Sequence, residues 1–76
     1  MDTSKRVEKI IQQTFNTSVE IKEHFTPHDV PGWNSLGHLN LILELEREFG
    51  IRFSDEDMLQ LDSVASINRI LSGYLK

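Results

Sequence analysis

Between Asn34 and Gly50 the chain reads NSLGHLNLILELEREFG, and no other segment constrains the fold as tightly. Leu39, Ile42, Leu45 and Phe49 recur at three- and four-residue intervals, the spacing of one face of an α-helix. Asn34 or Ser35 offers a side-chain oxygen to the unpaired N–H groups of a first turn, and Gly50 stands where a left-handed terminator belongs. The segment therefore predicts a helix from about Ser35 or Leu36 to Phe49. Leu36, Leu41 and Leu43 fall outside the stripe and widen its apolar surface. Such a helix is either covered on more than one side or presents an apolar edge to a partner or ligand.

The remaining segments add helices and no strands. Val7, Ile10, Ile11 and Phe15 predict a first helix over about residues 4–15, capped by Asp2, Thr3 or Ser4. From Asn16 to Asn34 the periodicity stops, and Pro27, Pro31 and Gly32 argue for a long connection containing one short helical turn. Val19, Ile21, Phe25 and Val30 are its anchors to the core. Ser54, Asp55, Glu56 and Asp57 resemble a capping box for a short third helix reaching about Leu61. Asp62 or Ser63 then opens a last helix carrying Val64, Ile67, Ile70, Leu71, Tyr74 and Leu75. No alternating pattern of strand type is present, so the expected architecture is all-α, a small bundle of three longer helices and one short helix. Residues 1–76 are expected to form a single domain, without repeats or an internal linker.

Composition narrows the function. A chain of 76 residues is near the lower limit for burying a stable core unaided, and it has no room for a large active site. There is no cysteine, so a thiol nucleophile, a thiolate metal cluster and a disulfide are all excluded. The first fifteen residues are charged and lack the ~7 to 15 apolar residues of a secretory signal, and no run approaches the ~20 of a membrane span. A cytoplasmic, monomeric protein is the expectation. Eight Lys and Arg against twelve Asp and Glu leave a net charge of −4, which opposes nucleic-acid binding and favours partners with basic surfaces.

The chemistry is concentrated where the long helix opens, at Pro31-Gly32-Trp33-Asn34-Ser35-Leu36. N–H groups in a first turn have no intrahelical acceptor and the helix dipole is positive there, so a phosphate on Ser35 would be stabilised. A serine in this position can equally be no more than a cap, and the local pattern leaves both readings open. Trp33 is read as packing over its own loop rather than anchoring a partner. His24 and His28 have the i, i+4 spacing of metal ligands, but Pro27 interrupts the helix that spacing requires and no further ligand set accompanies them, so no metal site is expected. Asp55, Glu56 and Asp57 lack the glycine and spacing of a calcium loop. No nucleophile with a base in reach is apparent either, so an enzyme is not expected.

The run Gly32-Trp33-Asn34-Ser35-Leu36, followed by LNLILELEREFGIRFSDEDMLQLDSVASI, resembles the acyl carrier protein family over nearly the whole chain. That resemblance implies a four-helix carrier domain and a 4′-phosphopantetheine arm transferred from coenzyme A to Ser35 by a phosphopantetheinyl transferase. Acyl-type intermediates are then held as thioesters on the arm and presented to enzymes with basic docking surfaces. It implies further that the long helix is the docking element, with Glu44, Glu46 and Glu48 giving charge, Leu36 and Leu43 apolar contact, and Asn34 a contact beside the serine. The family has Asp where this chain has Asn34. The amide is either a tolerated cap, the mark of an unusual transferase, or a change that weakens modification. The alternative is a helical interaction module of the same fold without a prosthetic group. His38, one turn after Ser35, could touch the arm or its phosphate but is read as a solvent-facing side chain without a role.

Overall fold

Helix ends leave backbone groups that something else must satisfy, and those partners fix the boundaries here. In the computed structural model, which describes residues 3–75, α1 (Thr3–Thr14), α2 (Ser35–Phe49), α3 (Asp55–Leu59) and α4 (Val64–Tyr74) follow in order, with one 3₁₀ turn at Pro27–Asp29. The three longer helices and the short one are thus present, and no strand occurs among the described residues. Asp2, a candidate cap for α1, lies outside the described residues. α1 stops where Asn16 adopts φ 52, a left-handed conformation that asparagine tolerates better than most residues. The Thr17 N–H then reaches back to the Gln12 carbonyl at 2.9 Å. α2 ends in the same way at Gly50 (φ 65), with the Ile51 N–H on the Glu46 carbonyl at 3.1 Å.

The long connection is held by its backbone as much as by its side chains. The Phe25 and Glu23 carbonyls accept from the Val64 and Ala65 N–H groups, each at 3.0 Å, and so satisfy the opening turn of α4. The Ile21 N–H donates to the Glu8 carboxylate at 2.9 Å. Ile21 and Val30 are buried and Phe25 packs against the core, as expected. Val19 does not: its side chain is 58% exposed, and it is held through its carbonyl, which accepts from Gln12 Nε2 at 3.0 Å.

Val7, Ile10 and Ile11 of α1 meet Leu41, Ile42 and Leu45 of α2 and Val64, Ile67 and Leu71 of α4 in one core, closed by Ile21, Val30, Trp33, Phe53 and Leu61. α1 packs on both α2 and α4. The inward face of α2 is rotated from the expected stripe, for Leu39 is 52% exposed while Leu41 is fully buried. The true seam runs through positions 38, 41, 42, 45 and 49, an equally good helical spacing. A histidine at its first position conceals it.

Candidate functional site

The mouth of α2 is assembled by a turn. Pro31 and Gly32 occupy its centre, Gly32 takes φ 90, and the Trp33 N–H closes it on the Val30 carbonyl at 3.1 Å. The chain then extends through Asn34, whose Oδ1 accepts from the Gly37 N–H at 2.9 Å. Asn34 is therefore the cap, and Ser35 is the first residue of the helix. Ser35 is exposed, and its hydroxyl has no hydrogen bond to any of the described residues. In the first turn, the Gly37 N–H is taken by Asn34 while the N–H groups of Ser35 and Leu36 have no intrahelical acceptor.

Gly37 makes this arrangement possible. A Cβ at position 37 would lie 2.2 Å from the Gly32 carbonyl oxygen and 2.8 Å from the Phe15 ring, so the turn closes onto the helix only because no side chain intervenes. From the sequence alone Gly37 is given no role. The overlooked signal is a glycine in the first turn of an otherwise strong helix, which has a propensity cost and calls for a steric reason.

Trp33 is 4% exposed and packs over its own loop, its ring stacked on Phe15 with centroids 5.9 Å apart. His38 lies beside the indole, with centroids 6.1 Å apart and planes inclined by 18°. The Trp33 Nε1–H donates to His38 Nδ1 at 2.8 Å. This corrects the reading of His38 as an idle surface residue: the ring is half-buried and fixed by the tryptophan. An indole N–H can only donate, so Nδ1 must present a lone pair and the neutral ring carries its proton on Nε2. Burial pushes the His38 pKa below its ordinary value of 6.5, and the Asp62 carboxylate opposes that shift more weakly.

A groove of about 430 Å³ adjoins these residues, lined by Trp33, Ser35, His38, Met58, Leu61 and Asp62 among others. The exposed, unengaged Ser35 hydroxyl at its edge and the free N–H groups of the first turn fit a phosphodiester-linked arm on Ser35. The groove walls fit the arm's apolar and amide-bearing length.

Leu36 is 70% exposed and shares the outer side of α2 with the exposed Leu39 and Leu43. The three glutamates are not gathered beside them. Glu48 pairs with Arg6 of α1 at 3.1 Å, and the same guanidinium sits 4.3 Å from the centre of the Phe49 ring. Glu44, one turn earlier, pairs with Arg47 at 3.5 Å. Glu46 faces the other way and accepts the Phe53 N–H at 2.9 Å, holding the link to α3. His24 lies edge-on to Phe25 at 5.1 Å. Among the described residues no group of three or more His, Asp or Glu side chains is placed to hold a metal, and no helix is long and apolar enough to cross a membrane.

Residues 26–71 match the family described as the phosphopantetheine attachment site, a span that includes the turn, all of α2 and α3 and most of α4. Among solved structures, the chain is similar to the holo acyl carrier protein of Geobacter metallireducens, with 28% identity and a TM-score of 0.88 over 99% of this chain and 87% of that one. It is also similar to a candidate acyl carrier protein of Mycobacterium tuberculosis, with 26% identity and a TM-score of 0.87 over 96% of this chain and 99% of that one.

Proposed function

From the premise that this chain belongs to the phosphopantetheine attachment-site family, we propose that Ser35 bears the arm and that the protein carries acyl-type groups on it as thioesters between partner enzymes. The prosthetic group of that family, 4′-phosphopantetheine from coenzyme A, supplies the thiol that this cysteine-free chain lacks. The protein's part is address and orientation, not catalysis. The observation carrying the assignment to Ser35 is that its hydroxyl is exposed at the mouth of α2 while Asn34 does the capping. A serine that capped the helix would have its oxygen already engaged.

Residues 1–76 are read as one carrier domain, working as a cytoplasmic monomer. Leu36 and Leu43 give partners apolar contact on the outer side of α2, and Asn34 lies next to the serine for the transferase. Glu44, Glu46 and Glu48 contribute negative charge from both flanks, which speeds encounter with basic docking surfaces more than it tightens binding. Asn34 caps as well as Asp would, so its cost falls on the transferase encounter and not on the fold.

Incubation with coenzyme A and a broad-specificity phosphopantetheinyl transferase tests the proposal by intact mass. An addition of ~340 Da is expected on the unaltered chain and none on Ser35→Ala. No addition with any transferase would reject the carrier reading in favour of an interaction module without a prosthetic group.

A further inference from the structure

We propose that His38 is a positioning residue for the prosthetic group: its Nε2–H, the ring position not taken by Trp33, donates a hydrogen bond to a phosphodiester oxygen of the arm on Ser35. The inference rests on the assignment of the arm to Ser35 and adds to it a contact from this chain.

His38 follows Ser35 by three residues on α2, and residues at i and i+3 are neighbours on a helix surface. Helical side chains lean toward the N-terminus, and the ring does so here, since its Nδ1 is bonded at 2.8 Å to Trp33, which precedes the helix. Ser35 and His38 both line the groove. The in-plane hydrogen bond from the indole holds the two ring planes within 18° of each other, so little rotamer freedom remains to be lost when Nε2 finds an acceptor. Among the described residues no protein group accepts from Nε2, so this donor is not committed within the fold. An anionic phosphodiester oxygen is a stronger acceptor than a neutral carbonyl.

The charges around the ring are few. Asp62, at the end of the segment after α3, is the only acidic side chain among the described residues that line the groove, and Trp33, Met58 and Leu61 are uncharged. A phosphodiester on Ser35 would add a second negative charge near a ring whose protonation burial disfavours. Attachment and protonation are then coupled: the negative charge of the arm raises the affinity of His38 for a proton, while that proton, which can enter only at Nδ1, must displace the Trp33 N–H.

The test is a pH titration of the full chain in apo and holo forms, with the ~340 Da addition first confirmed by mass. The His38 ring proton and the ³¹P resonance of the arm are followed by NMR over about pH 5 to 8, where histidine titrates. A phosphodiester has no ionisation of its own in that window, so any movement of its resonance reports a neighbour. The expected result is a ³¹P shift whose midpoint coincides with that of His38, and a His38 midpoint higher in the holo form than in the apo form. His38→Gln, whose amide can accept from Trp33 and still donate, should hold the ³¹P position of the neutral state and lose its pH dependence. That variant also separates His38 from His24 and His28. A flat ³¹P profile on a chain of confirmed holo mass, or equal His38 midpoints in the two forms, overturns the inference. The titration of the unaltered protein decides the matter even if the variant fails to fold. Absence of any added mass and of any ³¹P signal would instead refute the assignment of Ser35, and this contact with it.

Discussion

A methyl group at position 37 would meet the Gly32 carbonyl oxygen at 2.2 Å, well inside contact distance. Alanine should gain about 1 kcal/mol of helix propensity over glycine, while forcing an atom into this space typically costs about 1–3 kcal/mol. Gly37→Ala is therefore expected to lower the midpoint of chemical denaturation, and a raised midpoint would show that the turn can relax. His38 makes a second prediction, about pH. Its folded pKa is depressed below 6.5, so the neutral ring stabilises the fold above that value. The stability is lost as pH falls through the lower folded pKa, because the unfolded chain takes up its proton first. Thermal melts of the apo protein should show this acid-side loss, and His38→Gln should remove the part due to His38. An identical pH profile for the two proteins would contradict it. The start of α2 at Asn34 and Ser35 was legible in the sequence because a helix mouth has a compositional signature. His38 was not, since its partner Trp33 lies across a helix boundary where no periodicity links them.

At the level of elements, α3 has only five residues and cannot hold itself. The Ser54 hydroxyl accepts from the Asp57 N–H at 3.2 Å, which is half of the expected capping box. The other half is rerouted: Tyr74 Oη accepts the Ser54 N–H at 2.8 Å and donates to the Asp57 carboxylate at 2.6 Å, tying α3 to the last turn of α4. Tyr74→Phe should cost about 1–3 kcal/mol, because two hydrogen bonds are lost and the one to the Asp57 carboxylate is charge-assisted. Amide exchange within α3 should quicken more than exchange in α1, and uniform exchange would argue against the relay. This tie was beyond the sequence, since a capping box is a local pattern and Tyr74 is twenty residues from Ser54. Helix boundaries fared better, because Asn34, Gly50, Ser54 and Ser63 each mark an end through their own chemistry. The facing of α2 did not, since the apolar residues at 36, 39 and 43 compete with those at 41, 42 and 45. Which set is buried depends on where α1 and α4 lie.

For the whole molecule, the core is a single cluster drawn from α1, α2, α4 and the segments between them, with overall extents of 29 × 27 × 21 Å. Leu45 is completely buried within it, and Leu45→Ala should cost roughly 2–5 kcal/mol. Domains this small have only about 5–15 kcal/mol in all, so the variant should melt far below the parent or fail to melt cooperatively. A parent-like melt would place Leu45 outside the core. Two neighbouring residues divide the labour at the head of α2, with Asn34 capping the helix and the Ser35 hydroxyl left idle in the fold. Chemistry at that hydroxyl therefore has no structural veto to overcome. A group joined there would displace no contact that the scaffold depends on, so the head of α2 can act as a handle that is fitted without the fold being rebuilt.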